Sequence, residues 1–419
     1  MKRKHYTRRV MVFLSVANAL LLFGYGLSLP FFTVYLIGQQ GLSASMAGLV
    51  IGLSALSRSV ASALAGELSD VFGRKTLMEW GLTLEIIAML AMALCMEYGA
   101  DTGWLLLAYF FTTFFGAVFR PVSNAWITDH TRPKQRVEAF SIIRIGLNVG
   151  WALGPAVGGF LVRYSYTYAF YLTALAYCLT VLFLHYIIPQ DVGRNTTSRS
   201  HRPQFVSMLL SLKDSRLAKI CFYVFLITAV NAQLVVGLSI HCHTYLGMPE
   251  YYIGWFFTLN GLAVILLQYP ASKWMNRVRL STALFVGCVL YAIGFGSVGF
   301  FASFIPIACG VFLSATGELI VSPGEQTMAS NIATAQNRGR YLGMIMVFYN
   351  MGSSAGFFTA GWLGQYVAPR YLPGPWLIVG GVAILAGIGF WRMRLNLTDE
   401  QDGKFNVPVP VKKDTVTLH

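Results

Sequence analysis

The stretch that decides the fold of this chain occurs twice. Residues 121–159 read PVSNAWITDHTRPKQRVEAFSIIRIGLNVGWALGPAVGG, and residues 323–361 read PGEQTMASNIATAQNRGRYLGMIMVFYNMGSSAGFFTAG. Each copy lies in a strongly apolar region interrupted by one basic turn, so the duplication indicates two related halves in a membrane. At one constant offset, the copies share Pro121 and Pro323, Arg136 and Arg338, Asn148 and Asn350, Gly150 and Gly352, Gly154 and Gly356, and Gly159 and Gly361.

Composition places the chain outside the soluble globular class. The 419 residues are 56% hydrophobic and 11% charged, and the mean hydropathy is +0.59. A helix needs roughly 20 apolar residues to cross the hydrocarbon core, and long apolar runs without alternation argue against a β-barrel. We therefore predict an all-α membrane protein with twelve transmembrane helices in two pseudo-symmetric six-helix bundles. The predicted bundles are residues 1–188 and 218–394, with a cytoplasmic linker at 189–217 and a mobile cytoplasmic tail at 395–419.

The net charge of +14 indicates membrane topology rather than nucleic-acid binding. Most Lys and Arg residues fall in the N-terminus, the even-to-odd turns, the linker and the tail, whereas only Arg163 and Arg370 lie on the other side. By the positive-inside rule both termini are cytoplasmic, in a multi-pass protein of the plasma (inner) membrane. Its basic surface also attracts anionic lipids. The sequence predicts no cofactor and no metal site, because the six cysteines lie in apolar helices without short spacing.

Two local motifs are informative. The turn after predicted helix 2 reads GELSDVFGRK at residues 66–75, where Gly73 permits a tight turn and Asp70 can interact with the positive end of a neighbouring helix. Helix 5 has small residues every four positions, which share one face and allow close approach of another helix. Pro155 removes a backbone hydrogen bond and bends this helix. The helix 5 motif comprises Gly146, Gly150, Gly154, Pro155, Gly158 and Gly159.

These two motifs resemble the signature loop and the antiporter motif of the Major Facilitator Superfamily, in particular its twelve-helix drug:proton antiporter type of exporter. The resemblance implies two bundles that rock about a central site. It also implies a latch for the outward-facing state, in which Asp70 contacts the other half and pairs with Arg74, together with Asp129. The alternative is a turn that only sets topology. For helix 5, the alternatives are static packing and a rocking surface against the other half. The latch residues are Gly66, Asp70, Gly73, Arg74, Lys75 and Asp129.

Four charged residues lie at similar depth in helices 2 to 5. Each costs at least ~2.5 kcal/mol at mid-membrane unless it is paired or hydrated, so we expect either an ion-pair network that locks this bundle or a substrate-binding and coupling network. The surplus of arginine favours an anionic or zwitterionic substrate, because guanidinium binds carboxylate or phosphate bidentately. The four are Arg58, Glu85, Arg120 and Arg144, and the predicted cavity is completed by Tyr25, Asn231, Asn260 and Asn350.

In the second half, Glu318 lies near mid-membrane in helix 10. A carboxyl group that is removed from water can exchange a proton near neutral pH, so Glu318 is the first candidate for proton coupling. Substrate contact and a structural hydrogen bond are alternatives. Glu85 is the second candidate, although its arginine neighbours oppose protonation. Glu325, two turns closer to the cytoplasm, is a weaker candidate.

The sequence thus predicts a proton-coupled exporter of a small organic molecule, which is not an enzyme and acts by alternating access. The substrate is either drug-like or an anionic or zwitterionic amphiphilic metabolite. An uptake symporter or facilitator is an alternative, as is a non-transporting membrane receptor or scaffold. The expected partners are the small-molecule substrate, protons and membrane lipids, with no nucleic acid, and nothing demands more than a monomer.

Overall fold

The computed structural model describes residues 2–130, 133–188, 210–334 and 337–403, without the side chains of residues 2–9, 67, 70, 133–141 and 338. Most of the predicted linker, the end of the tail and the side chain of Asp70 lie outside this description. The described residues form twelve long helices: α1 (Lys2–Gly38), α2 (Ala44–Phe72), α3 (Arg74–Glu97), α4 (Thr102–His130), α5 (Pro133–Leu161), α6 (Tyr166–Ile187), α7 (Ser215–Tyr245), α8 (Glu250–Met275), α9 (Leu280–Val298), α10 (Phe304–Ile332), α11 (Arg338–Tyr366) and α12 (Gly374–Met393).

The helices correspond to the twelve predicted from the sequence. Within the described ranges, ten are long and apolar enough to cross a membrane. The exceptions, α5 and α11, are the helices of the duplicated block, in which glycine and polar residues lower the hydropathy. Both lie between other helices, with α5 packed on α1 and α8, and α11 packed on α7 and α2. The predicted all-α membrane fold is therefore confirmed.

The glycines of α5 pack on α1 of the same half. A Cβ atom added at Gly146, Gly150 or Gly154 would meet a backbone oxygen of α1 at less than van der Waals distance, and Gly158 lies equally close to Leu27. Because the α1 partners also recur every four residues, two parallel helices meet along one small-residue face. The predicted rocking surface is wrong for these four glycines, since their face is occupied by a helix of their own bundle.

Among the glycines that both copies of the duplicated block share, only the pair at the outer end faces the other half. A Cβ at Gly159 would lie 3.0 Å from the backbone of Tyr251 on α8, while one at Gly361 would lie 3.0 Å from the backbone of Gly48 on α2. The two glycines occupy matching positions of the duplicated block, so the halves meet through two equivalent contacts, α5 with α8 and α2 with α11. We call this end the outer end, and the end with the α2–α3 turn the inner end. The halves are closed at the outer end and separate toward the inner end.

Helix α4 is interrupted between two segments, Thr102–Gly116 and Phe119–His130. Pro121 has no N–H to donate to the carbonyl of Ala117, and its ring would clash there. The turns at the break are tighter instead, with Val118 N donating to Phe115 O at 3.0 Å. The matching proline, Pro323, lies inside an uninterrupted α10. The break in the first half brings the start of the second α4 segment into the interior of the bundle.

The first part of the predicted mobile tail, residues 395–403, packs against the inner end of the second half. Asp402 is fully buried and accepts hydrogen bonds from Ser281 N and Ser281 Oγ, both at 2.7 Å. Arg279 Nη2 lies 2.8 Å from Asp399 Oδ1. These acids lie at the N-terminus of α9, where free N–H groups and the helix dipole favour an anion. The prediction of a mobile tail is therefore wrong for residues 395–403.

Candidate functional site

A cavity of about 870 Å³ lies between the two halves and extends toward their inner ends. Six helices supply its polar side chains, so neither half forms it alone. Arg120 and Arg144 come from the first half, whereas Glu318 comes from α10 of the second. Asn231, Asn260 and Gln268 also line the cavity, together with the aromatic residues Trp151, Tyr349 and Phe357.

A chain of hydrogen bonds connects Glu318 to the contact between the halves. Asn260, buried on α8, donates through Nδ2 to Glu318 Oε2 at 3.2 Å. The same amide accepts through Oδ1 from Trp151 Nε1 of α5, also at 3.2 Å. Asn231 approaches the Glu318 carboxylate from α7. An ionised Glu318 therefore orients the amide that receives the Trp151 N–H across the interface.

Two arginines give the first-half wall of the cavity a positive charge. Arg144 Nη2 reaches across the interface and donates to Gln268 Oε1 at 3.0 Å. Arg120 follows the break in α4 and faces Tyr349 of α11. Among the described side chains, none forms an ion pair or a hydrogen bond with Arg120. Its guanidinium group therefore retains all of its donors for a ligand.

Arg58 and Glu85 lie in a second, smaller cavity of about 140 Å³ inside the first half. Arg58 Nη1 donates to Tyr25 Oη at 2.8 Å, and its guanidinium group lies 5.0 Å from the centre of that ring. Glu85 is buried, and its carboxylate fills the space left by Gly116, where a Cβ would come within 2.5 Å of Oε1. Tyr25 in turn lies 6.2 Å, centre to centre, from Trp151. The small cavity thus adjoins the interface between the halves.

The four charges predicted as one cluster are divided between the two cavities. Arg144 lines the large cavity, Arg58 and Glu85 line the small one, and Arg120 lines both. No direct ion pair joins any two of these four described side chains, so an ion-pair network that locks the bundle is not what the structure contains. Of the remaining predicted cavity residues, Tyr25 lines the small cavity, and Asn231 and Asn260 line the large one, whereas Asn350 lines neither.

The residues of the predicted latch lie at the inner end of the first half. Gly73 has a φ of 91°, a conformation that L side chains rarely adopt, as the predicted tight turn requires. Arg74 Nε lies 3.3 Å from Asp129 Oδ2, and Arg74 also donates to Ser69 Oγ. Lys75 is buried and donates to the carbonyl of His185 at 2.7 Å. The Arg74–Asp129 pair is thus present while the inner end is open. A Cβ added at Gly66 would meet no atom within 4 Å, so this glycine makes no close contact.

Sequence reasoning missed two features of this site. Trp151 was not singled out, although it lies beside Gly150 in the duplicated block and its indole N–H can donate a hydrogen bond. Glu325 was placed near the inner rim, but it is 2% exposed, and its Oε2 has no hydrogen-bond partner among the described residues. Its position on α10 turns it away from the large cavity. Depth along a helix did not reveal the direction of the side chain.

A family model matches almost the whole chain. The model of the Major Facilitator Superfamily matches residues 14–253 and 220–415. The chain belongs to the Major Facilitator Superfamily. It is thus a secondary transporter of a small-molecule substrate rather than an enzyme, and the predicted integral, multi-pass inner-membrane protein is confirmed.

Curated relatives and solved structures agree with this membership. Multidrug resistance protein MdtH of Yersinia enterocolitica is 24% identical over 387 residues, which are 91% of this chain and 93% of the relative. The protein of the same name from Salmonella newport is 24% identical over 386 residues, 89% of this chain and 91% of the relative. The nucleoside transporter NupG superposes with a TM-score of 0.77 at 13% identity, covering 92% of this chain and 98% of that structure. The peptide transporter POT in complex with sulfate gives 0.74 at 16%, covering 92% and 94%. The two structures share the superfamily fold.

Proposed function

We propose that this superfamily member is a proton-coupled exporter of amphiphilic organic molecules that carry an anionic or zwitterionic group. The observation that carries the proposal is the hydrogen-bond chain from Glu318 through Asn260 to Trp151. A carboxylate accepts the Asn260 N–H, whereas a protonated carboxyl group has lost part of its acceptor capacity and gained a donor. Protonation of Glu318 therefore weakens the orientation of the amide that holds the two halves together at the outer side of the cavity.

The direction of transport is inferred from the side to which the cavity extends. With the outer end closed, Glu318, Arg120 and Arg144 are reachable from the inner end, so an intracellular substrate enters first. Once the outer contact has opened, a proton from the outer side binds Glu318 and displaces the substrate. The proton is then released at the inner side after the outer contact has closed again, so a gradient that is acidic outside drives export. The relatives named Multidrug resistance protein MdtH support export as well as the breadth of substrates.

The substrate class follows from the separation of charge across the cavity. Arg120 and Arg144 lie on the first-half wall and suit a carboxylate or phosphate. Glu318 lies on the second-half wall and suits a proton or a substrate ammonium group. Trp151, Tyr349 and Phe357 supply the apolar surface that an amphiphile requires. A ligand that carries both groups can contact both walls of the cavity at once.

The bundles at residues 1–188 and 218–394 are proposed to move as two bodies in a monomer, with both termini in the cytoplasm. Residues 189–217 would link them, and residues 404–419 would complete the cytoplasmic tail. The Arg74–Asp129 pair braces the first bundle at its inner end, and in the outward-facing state Asp70 would contact the second bundle. The surrounding basic residues would interact with anionic lipids, with no role for nucleic acid.

Transport by purified protein in liposomes tests the proposal. We expect an imposed pH gradient, acidic on the outer side, to drive export of rhodamine B, a zwitterion, more strongly than export of ethidium, a cation. Glu318→Gln should abolish the dependence on the gradient while the protein stays folded. Accumulation in the opposite direction would favour an uptake symporter, and an unchanged pH dependence in the variant would exclude Glu318 as the coupling residue. No flux of any compound, with tight capture of a protein partner, would favour a receptor.

A further inference from the structure

The small cavity of the first half has the composition of an anion site. It is enclosed by α1, α2, α3, α4, α5 and α6, and it meets the large cavity at Leu22, Arg120 and Leu147, which line both. Its volume of about 140 Å³ is that of four or five water molecules at ~30 Å³ each. The small cavity is therefore large enough for a short carboxylate and lies next to the large cavity. The titratable and charged groups that face it are Tyr25, Arg58, Glu85, Tyr109, Arg120 and Tyr177.

The charges of this cavity do not balance. Arg58 interacts electrostatically with Glu85, the one acidic group among the described lining residues, whereas Arg120 interacts with Arg58 as a like charge. One positive charge is thus in excess even with Glu85 ionised. Arg120 is exposed toward the large cavity, so its charge can be hydrated when the site is empty and remains available to attract an anion.

Two uncharged features also point to an anion. The hydroxyl of Thr112 is more than nine-tenths buried and has no hydrogen-bond partner among the residues that the structure describes, although the residue lines the cavity. The second segment of α4 starts at Phe119, so its N-terminal turn also borders the cavity. The free N–H groups and the dipole of a helix N-terminus favour negative charge. The small cavity is thus lined by two arginines, by the hydroxyl of Thr112 and by a helix N-terminus, and each of these can bind an anion.

We propose that this cavity is a subsite for a carboxylate, which binds between Arg58 and Arg120 and accepts the hydrogen bond of Thr112. The carboxylate is either a free short-chain acid or the terminal group of a larger substrate whose body lies in the large cavity. The inference deepens the proposed function, since it names the chemical group that the first half recognises. Glu85 then limits the affinity, because its negative charge lies in the same small volume.

Binding of propionate to the purified protein, followed by saturation-transfer NMR, tests the subsite. We expect propionate to bind at least tenfold more tightly than propionamide, which has the same shape without the charge. Arg58→Gln and Thr112→Val should each weaken binding by about tenfold, whereas Glu85→Gln should strengthen it severalfold. Arg370→Gln is the matched control, because it removes a positive charge from an exposed outer position and should leave propionate binding unchanged.

Equal binding of propionate and its amide, or no binding, would overturn the proposal. Wild-type affinity in both Arg58→Gln and Thr112→Val would do the same. Since loss of Arg58 could impair folding, Thr112→Val carries the test independently; it removes only an unpartnered hydroxyl, and its Tm should not fall. Phenylbutyrate distinguishes a free short-chain acid from the terminal carboxylate of a larger substrate. It should bind more tightly than propionate only if the site recognises the carboxylate of a larger molecule. If the wild-type protein shows Glu318-dependent flux but does not bind propionate, the subsite is refuted while the proposed function stands.

Discussion

Replacement of Trp151 by phenylalanine should shift the protein away from the inward-open state. The substitution removes one N–H donor and keeps an aromatic ring between Tyr25 and Phe257, whose centres lie 6.2 and 5.6 Å from that of Trp151. The lost hydrogen bond is the one to Asn260 of the other half. The halves are in contact there only while the outer end is closed. Loss of the hydrogen bond therefore destabilises the inward-open state and leaves the outward-open state unaffected.

The expected size follows from one hydrogen bond between buried groups. Hydrogen bonds between helices of membrane proteins contribute about 0.6 kcal/mol on average, and a typical buried bond contributes up to ~1.5 kcal/mol. The ratio of inward-open to outward-open protein should therefore fall by about 3- to 12-fold. The shift is limited because Thr258 Oγ1 still donates to the carbonyl of Ala152 across the same interface, at 2.9 Å.

Spin labels at Val71 of α2 and Arg340 of α11 would report the separation of the inner ends by pulsed electron resonance. Both positions are exposed, and the six native cysteines would first be replaced. The matched control is Trp376→Phe, which removes a Trp N–H bond of the same 3.2 Å length to His241 within the second half. It should lower the Tm without changing the distance distribution. An unchanged distribution in Trp151→Phe, or equal shifts in both variants, would refute the role of Trp151 as a contact that depends on the state.

Three other substitutions test separate parts of the structure. Arg120→Gln should weaken binding of anionic substrates by about tenfold and of neutral ones much less; equal losses in equilibrium binding would indicate a structural role. Gly48→Ala should open the outer contact, because its Cβ would lie 2.6 Å from a carbonyl oxygen of α11, whereas a Cβ at Gly66 meets nothing within 4 Å and Gly66→Ala should not alter outer-gate crosslinking. Asp402→Asn should destabilise the second half by about 1–2 kcal/mol through its lost charge-assisted bonds, which thermal unfolding can measure against the more exposed Asp399→Asn.

Much of the architecture could be predicted because a membrane restricts what a chain can do. With no water to satisfy the backbone, each long apolar run has to become a helix, and all twelve runs did so. The tight turn at Gly73 was predictable for an equally local reason, since the GRK sequence after a helix leaves few conformations. The docking of Asp402 on α9 was not, because its partners lie over a hundred residues earlier in the chain.

The candidate site was predictable in composition but not in arrangement. Arg58, Glu85, Arg120 and Arg144 stood out, since buried charges are rare in apolar helices. Depth along each helix suggested one cluster, whereas the break in α4 and the rotation of the helices divided these charges between two cavities. Rotation depends on packing against neighbouring helices, and one sequence does not specify it.

The sequence by itself determined that this chain forms twelve membrane helices in two related halves, because hydropathy and the duplicated block act locally and repeat. Only the tertiary structure decided how the copies are used. The inner glycines, such as Gly150 and Gly352, hold each half together, and the outer pair, Gly159 and Gly361, joins the halves. The physical reason is that a glycine permits close approach by any helix, and the partner depends on the position of helices distant in sequence.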